Sequence, residues 1–303
     1  LPISLKGAFI HPEEHRLRSG WRLLGSLFLL GACLVAFTVV LLIVQGAAPQ
    51  LFQDGAFLPE ALASAGAITL GIYLARRLLD MRSLVSLGLA PNCQAARDLS
   101  FGFILAGMMI SLVYLIEWAV GWLQFEGFAW HERPLSRALL EIALVLITFI
   151  AVGWSEELLN RGYWLVNLSE GLNVRWAVII SSAVFSLMHL SNPNVSYQGL
   201  LGLFLSGLFF AYCYLRTRQL WLPIGVHIGW NFFEGAVLGF PVSGLELYRL
   251  VSQRVEGPAW ATGGAFGPEA GLVLLPPLAL GMALAYVYTR RRNRRPEASS
   301  GRR

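Results

Sequence analysis

The sequence predicts an all-α fold: a polytopic integral membrane helical bundle of about eight transmembrane helices. Three observations carry that expectation. Hydrophobic residues make up 56% of the 303-residue chain and charged residues only 14%, with a mean hydropathy of +0.59, whereas a soluble globular chain carries about 25% charged residues. Eight stretches are long and apolar enough to be read as bilayer-crossing helices. The basic residues concentrate in alternate connecting segments. Together these exclude a water-soluble enzyme, a disordered tail protein and a disulfide scaffold. No stretch alternates apolar and polar residues over about ten positions in the manner of an outer-membrane barrel. Helices are the remaining way to pair every backbone N–H and C=O inside lipid.

In chain order the expected spans are 23–45, 60–79, 101–123, 138–164, 175–190, 197–215, 220–240 and 270–289. The first is an uninterrupted apolar run. The second is richer in Ala and Gly. The fourth, fifth and seventh are interrupted by polar residues. The connections 46–59 and 241–268 read as the longest linkers. Cys33, Cys93 and Cys213 form no pairing pattern; two of them fall inside spans and read as packing residues. The first apolar run is long enough to stay in the membrane, and no cleavable signal is evident.

Orientation follows from charge. With the N-terminus cytoplasmic, 19 of the 23 Lys and Arg residues fall inside; Arg133, Arg137, Arg249 and Arg254 fall outside. This split is the positive-inside pattern and requires an even number of spans. It divides the chain into a cytoplasmic N-terminal segment (1–22), a transmembrane domain (23–289) and a basic, disordered cytoplasmic tail (290–303). The expected location is the plasma or inner membrane, with both termini cytoplasmic. The tail reads as a contact for anionic lipid headgroups. No folded basic domain accompanies it, so no nucleic-acid partner is expected.

Ionisable residues in spans are costly and point to function by default. The expected spans contain Glu117, Glu141, Glu156, Glu157, Arg161, His189, His227 and Glu234, with the amide Asn231, and no Asp. Glu157 and Arg161 are four apart and share a helix face. The same spacing relates Phe185 to His189 and His227 to Asn231. Two histidines, two carboxylates and an amide thus come from three spans. Gly162, Pro223, Gly225 and Gly229 let those helices bend or approach closely.

A carboxylate in low dielectric has its charged form disfavoured, which suits proton transfer near neutral pH. Histidine and asparagine can point N–H donors at a developing oxyanion. The chemistry that fits is attack of an activated water on an amide carbonyl. The competing chemistry is zinc, with Glu156, His189 and His227 as ligands and water in the fourth position; Asn is a poor zinc ligand, which tilts the balance away from metal. No cofactor is certain. Phe185 reads as plain packing, and Glu117, Glu141 and Glu234 receive no role. HExxH is absent from the spans, the aspartyl chemistry lacks its two membrane Asp residues, and no Gly-x-Ser-Gly surrounds Ser182 or Ser206. His11, Glu14 and His15 spell an inverted zinc motif, but it precedes the first span and Pro12 disfavours helical geometry at His11; it reads as chance.

Glu156 to Arg161 (EELLNR), Phe185 to His189 (FSLMH) and His227 to Asn231 (HIGWN) resemble, in order, the three motifs EExxxR, FxxxH and HxxxN of the CPBP family, the CAAX-protease and bacteriocin-processing intramembrane endopeptidases. The stretch 82–102 resembles the family's segment before its core. The resemblance covers about 82–240 and leaves out the first and last spans. It implies an eight-span core with a site opening toward the cytoplasmic side. It further implies Glu156 as the base that activates water, helped by His189. His227 and Asn231 would then form the oxyanion hole, with Glu157 and Arg161 as a supporting pair. A CAAX-type endopeptidase of this kind acts on a peptide or protein substrate, lipidated in the CAAX branch. A metalloprotease mechanism on the same residues stays open, as does a non-proteolytic bacteriocin-immunity or scaffold protein. A proton-relay transporter fits less well, because no pseudo-repeated halves are evident.

Overall fold

The computed structural model describes residues 9–11, 13–14, 16–52, 57–131 and 134–292. It is an all-α membrane bundle. Helix α1 (Ser19–Ala47) runs away from the N-terminal end and α2 (Leu58–Leu78) returns beside it. Helix α3 (Cys93–Val120) runs out again. The next pass is one rod in three parts: α4 (Leu135–Glu157), a π-helical turn (Leu158–Trp164) and α5 (Leu165–Gly171). Helices α6 (Val174–Leu187), α7 (Tyr197–Thr217) and α8 (Trp221–Asn231) follow; a second π-helical turn (Phe232–Val237) extends α8. A short α9 (Ala259–Thr262) precedes the closing α10 (Leu275–Arg292).

Among the described residues six helical stretches are long and apolar enough to cross a bilayer. The expected fifth and seventh spans are present as the shorter α6 and the composite of α8 with its π turn. Their apolar runs are cut where the polar motifs enter. Helices α1 and α10 overrun the expected limits of the membrane domain, from Ser19 and to Arg292. The rest of the basic tail lies outside the described residues, as does His15 of the inverted zinc motif.

Helix ends follow local chemistry. The Asn92, Asn173 and Ser196 side chains accept from the backbone N–H three residues on, capping α3, α6 and α7. Gly121, in the left-handed region, ends α3. Helix α1 turns Phe28, Val35, Val40 and Ile43 outward, a side-chain row suited to lipid and not to water.

The two ends of the bundle differ. At one, buried Arg22 and Arg76 converge on buried Asp80, at 3.3 and 2.5 Å. Glu170 joins this network through Arg16, Arg22 and Arg82, at 3.0, 2.6 and 2.8 Å. Arg292 at the end of α10 lies 2.9 Å from Asp98 at the start of α3. At the other end, β1 (Leu123–Phe128) and β2 (Val251–Val255) pair antiparallel, with a register shift between Phe125 and Gly127. This ribbon was not anticipated, and the 241–268 connection that supplies β2 is more than a linker.

Helices α3 and α8 pack closely because glycines line the seam. A Cβ on Gly225 would sit 2.2 Å from the Leu99 carbonyl oxygen, and one on Gly102 2.5 Å from that of Leu222. On the opposite side of α8, a Cβ on Gly153 of α4 would meet Ile228 at 2.7 Å. These contacts bring α4 and α8 close enough for their polar residues to meet.

Candidate active site

The three motifs converge. Glu156 from α4, Phe185 from α6, His189 just beyond α6, and His227 and Asn231 from α8 all line one cavity of about 640 Å³. Its apolar wall includes Met109, Phe149, Phe209, Phe210 and Val226. Glu157 and Arg161 are fully buried.

Glu157 is the hub. Its Oε1 accepts from Arg161 Nη1 at 3.0 Å and lies 3.0 Å from His227 Nδ1. The i,i+4 pair therefore forms as the spacing predicts, across the start of the π turn that follows Glu157. π-Helical turns are rare and occur often at functional sites. Here one begins inside the first motif, after Glu157, and carries Arg161, and another follows the third, after Asn231. Arg161 Nη2 donates to the Gly207 carbonyl at 3.0 Å, tying α4 to α7.

The guanidinium of Arg161 lies 4.4 Å from the Phe185 ring centroid and 5.1 Å from that of Phe210. Desolvated contacts of this kind are worth about 2 kcal/mol or more. Phe210 also stacks on the His227 imidazole, centroids 4.9 Å apart and planes 9° apart, while Phe185 meets it edge-on at 5.9 Å. Phe185 does pack, as its apolar character suggests, but it also carries a cation and walls a histidine.

Hydrogen-bond direction sets the histidine protons. His189 Nδ1 lies 2.9 Å from the Phe185 carbonyl oxygen. A carbonyl only accepts, so Nδ1 carries the hydrogen and neutral His189 presents Nε2 as an acceptor. His227 Nδ1 faces the Arg161-paired carboxylate of Glu157 and likewise donates; its Nε2 lies 3.9 Å from Glu156 Oε2. Glu156 is the more open carboxylate of the pair, 20% exposed against 0% for Glu157, and its Oε2 is buried without a hydrogen-bond partner.

Among the described residues no group of three or more His, Cys, Asp or Glu side chains is arranged to hold a metal ion. Glu156, His189 and His227 share the cavity but, as positioned, do not make the zinc ligand set.

Other ionisable residues separate from this set. Glu141 pairs with Arg137 at 2.6 Å along α4. Glu117 is buried in α3 with neither carboxylate oxygen hydrogen-bonded. Glu234, three residues beyond Asn231, is fully buried beside Glu269. Glu269 was not legible as a site residue. It lines the cavity and accepts from the Ser243 backbone N–H at 3.3 Å and hydroxyl at 3.1 Å. Ser243 and Leu245 line the cavity from what reads in the sequence as a linker, and no local motif marks them or Phe210.

Residues 138–233 match the family model described as type II CAAX prenyl endopeptidase Rce1-like. That stretch contains all three motifs, and the family resemblance read from them is borne out there. The chain is 24% identical over 168 residues to YyaK, an uncharacterized protein of Bacillus subtilis (strain 168), covering 54% of this chain and 55% of that protein. It is 26% identical over 162 residues to YdiL, named as a candidate membrane peptidase of the same organism, covering 52% of this chain and 64% of that protein. The matched stretch is thus less than two thirds of either relative's length. No solved structure matches the chain.

Proposed function

We propose, from that family match, that the chain is an intramembrane endopeptidase of the CAAX-protease type, hydrolysing a peptide bond with a water activated by Glu156 and His189. The observation that carries this is the meeting of Glu156, His189, His227 and Asn231, from three separate stretches of the chain, in one largely apolar cavity. A buried structural ion pair would account for Glu157 and Arg161, but not for two histidines and an amide lining the same space.

The chemistry runs as follows. The Glu156 carboxylate, assisted by His189 Nε2, takes a proton from water as the water oxygen bonds to the scissile carbonyl carbon. The oxyanion that forms receives hydrogen bonds from the Asn231 amide and from His227. His227 Nδ1–H is committed to Glu157, so Nε2 is the ring nitrogen left for the oxyanion, and it donates when it too carries a proton. The intermediate collapses, the C–N bond breaks, and the proton held by Glu156 passes to the leaving amine. Arg161 and the Phe185 and Phe210 rings hold Glu157, and through it His227, in place.

The substrate is a peptide or protein segment reached within the membrane; a lipidated peptide, as the family's description names, belongs to this class. Exposed Arg290 and Arg291 at the end of α10 suit anionic headgroups.

The test compares peptide termini in membranes of cells expressing the wild type and Glu156→Gln, which keeps size and removes the base. New termini generated by the wild type are expected to vanish with Glu156→Gln, while the variant inserts and purifies normally. The same termini with a folded Glu156→Gln protein would rule out Glu156 as the base.

A further inference from the structure

The cavity has a mouth, and the mouth is at one end of the bundle. Its exposed lining residues are Phe57 and Glu60 at the start of α2, and Met188 and Ser191 just after α6. Asn192 Nδ2 donates to the Ser243 carbonyl at 2.9 Å, closing the rim between two connections of that same end. Its deepest residues include Phe210, Val226 and His227.

The opposite end is sealed. Leu158, Tyr163, Ala211, Tyr214, Leu220 and Ile224 are buried in one apolar cluster. They lie beyond Glu157 and Arg161, toward the network of Arg22, Arg76 and Asp80. Tyr163 spans the gap, its hydroxyl 3.4 Å from Asp80 Oδ1.

That sealed end is the basic one. Among the described residues, every arginine except buried Arg161 and three others (Arg137, Arg249 and Arg254) belongs to it. The mouth end carries those three together with Glu60, Glu126, Glu246 and Glu256. An excess of Arg in short connections and beside helix ends marks the cytoplasmic face.

We infer that the cavity holding Glu156, His189, His227 and Asn231 opens to the extracytoplasmic side of the membrane, and that its substrate is an apolar, membrane-proximal peptide segment presented from that side. The juxtaposition that carries this is a sealed arginine-rich end opposite an open, arginine-poor one. It is the reverse of the cytoplasmic opening that the family resemblance implies. The choice of a peptide rests on the protease proposal; the direction of opening does not.

The protein supplies its own control. Cys93 is an exposed thiol at the start of α3, on the basic end, whereas Cys33 and Cys213 are buried. In sealed vesicles of either orientation, a membrane-impermeant maleimide reads which face each thiol occupies. Wild-type Cys93 should label only in inside-out vesicles. In a Cys93→Ser background, Ser191→Cys at the mouth and Gln198→Cys on the exposed start of α7 should each label in right-side-out vesicles. Gln198→Cys keeps the test valid if Ser191→Cys fails to fold. Labelling of Cys93 from outside, or of both new thiols only from the cytoplasmic side, overturns the inference. The assay needs no turnover, so repeating it with Glu156→Gln separates its failure from failure of the protease proposal.

Discussion

One carboxylate oxygen, Glu157 Oε1, serves both Arg161 and His227 at 3.0 Å, and that sharing sets what each neighbour contributes. Arg161 is fully buried against two aromatic rings. Removing its charge strands Glu157 in low dielectric, and breaking a buried pair from one side costs about 3–5 kcal/mol. Arg161→Ala is therefore expected to lower the thermal unfolding midpoint in detergent as well as turnover. Asn231 is different: its amide lines the cavity, and Asn231→Ala should leave the midpoint in place while cutting turnover by about 10²–10³, the cost of one oxyanion donor. A loss below tenfold for Asn231→Ala, or an undisturbed midpoint for Arg161→Ala, would reassign the two residues.

At the scale of elements, the site depends on helices that approach more closely than side chains normally allow. Gly225 of α8 faces the Leu99 carbonyl oxygen of α3 at a distance where no Cβ fits. Gly225→Ala forces α8 away from α3 and moves His227 and Asn231 with it; overpacking of this kind costs about 1–3 kcal/mol. Thermal unfolding and cleavage should both suffer. Gly31→Ala on lipid-facing α1, where a Cβ would meet nothing within 4 Å, should change neither. Equal effects of the two substitutions would show that the α3–α8 seam is not what positions the site. The π turns act at this scale as well, since one runs through the first motif and the other follows the third, altering the helix where the cavity side chains are aimed.

Across the whole molecule, two polar assemblies sit in separate places with an apolar layer between them: the cavity set, and the basic end built on Asp80, Arg22 and Arg76. They have different tasks. Asp80 touches no cavity residue among its hydrogen-bond and ion-pair partners. Asp80→Ala leaves two buried guanidiniums without that carboxylate, so a stability loss of about 3–5 kcal/mol is expected. Cleavage per folded molecule should be unchanged. A variant that kept its unfolding midpoint but lost cleavage would instead link the basic end to the chemistry. The same separation gives the molecule a basic and an arginine-poor end, the asymmetry on which the proposed direction of the cavity rests.

Composition and apolar run length were enough to specify a helical membrane bundle, because lipid leaves the backbone few ways to pair its polar groups. The i,i+4 spacings were enough to mark Glu157 with Arg161, and to mark His189, His227 and Asn231 as one-faced polar residues. Helix periodicity is local, and those pairs are local. What it cannot carry is which helices are neighbours. Only the tertiary structure decided that Glu157 serves His227 as well as Arg161, that the perpendicular rings of Phe185 and Phe210 flank a guanidinium, and that Glu269 and Ser243 reach the cavity from a connection that reads as a linker. The proposed direction of opening is of the same kind: the charge asymmetry is legible in the sequence, but the mouth is a property of packing at one end of the bundle, and no single helix encodes it.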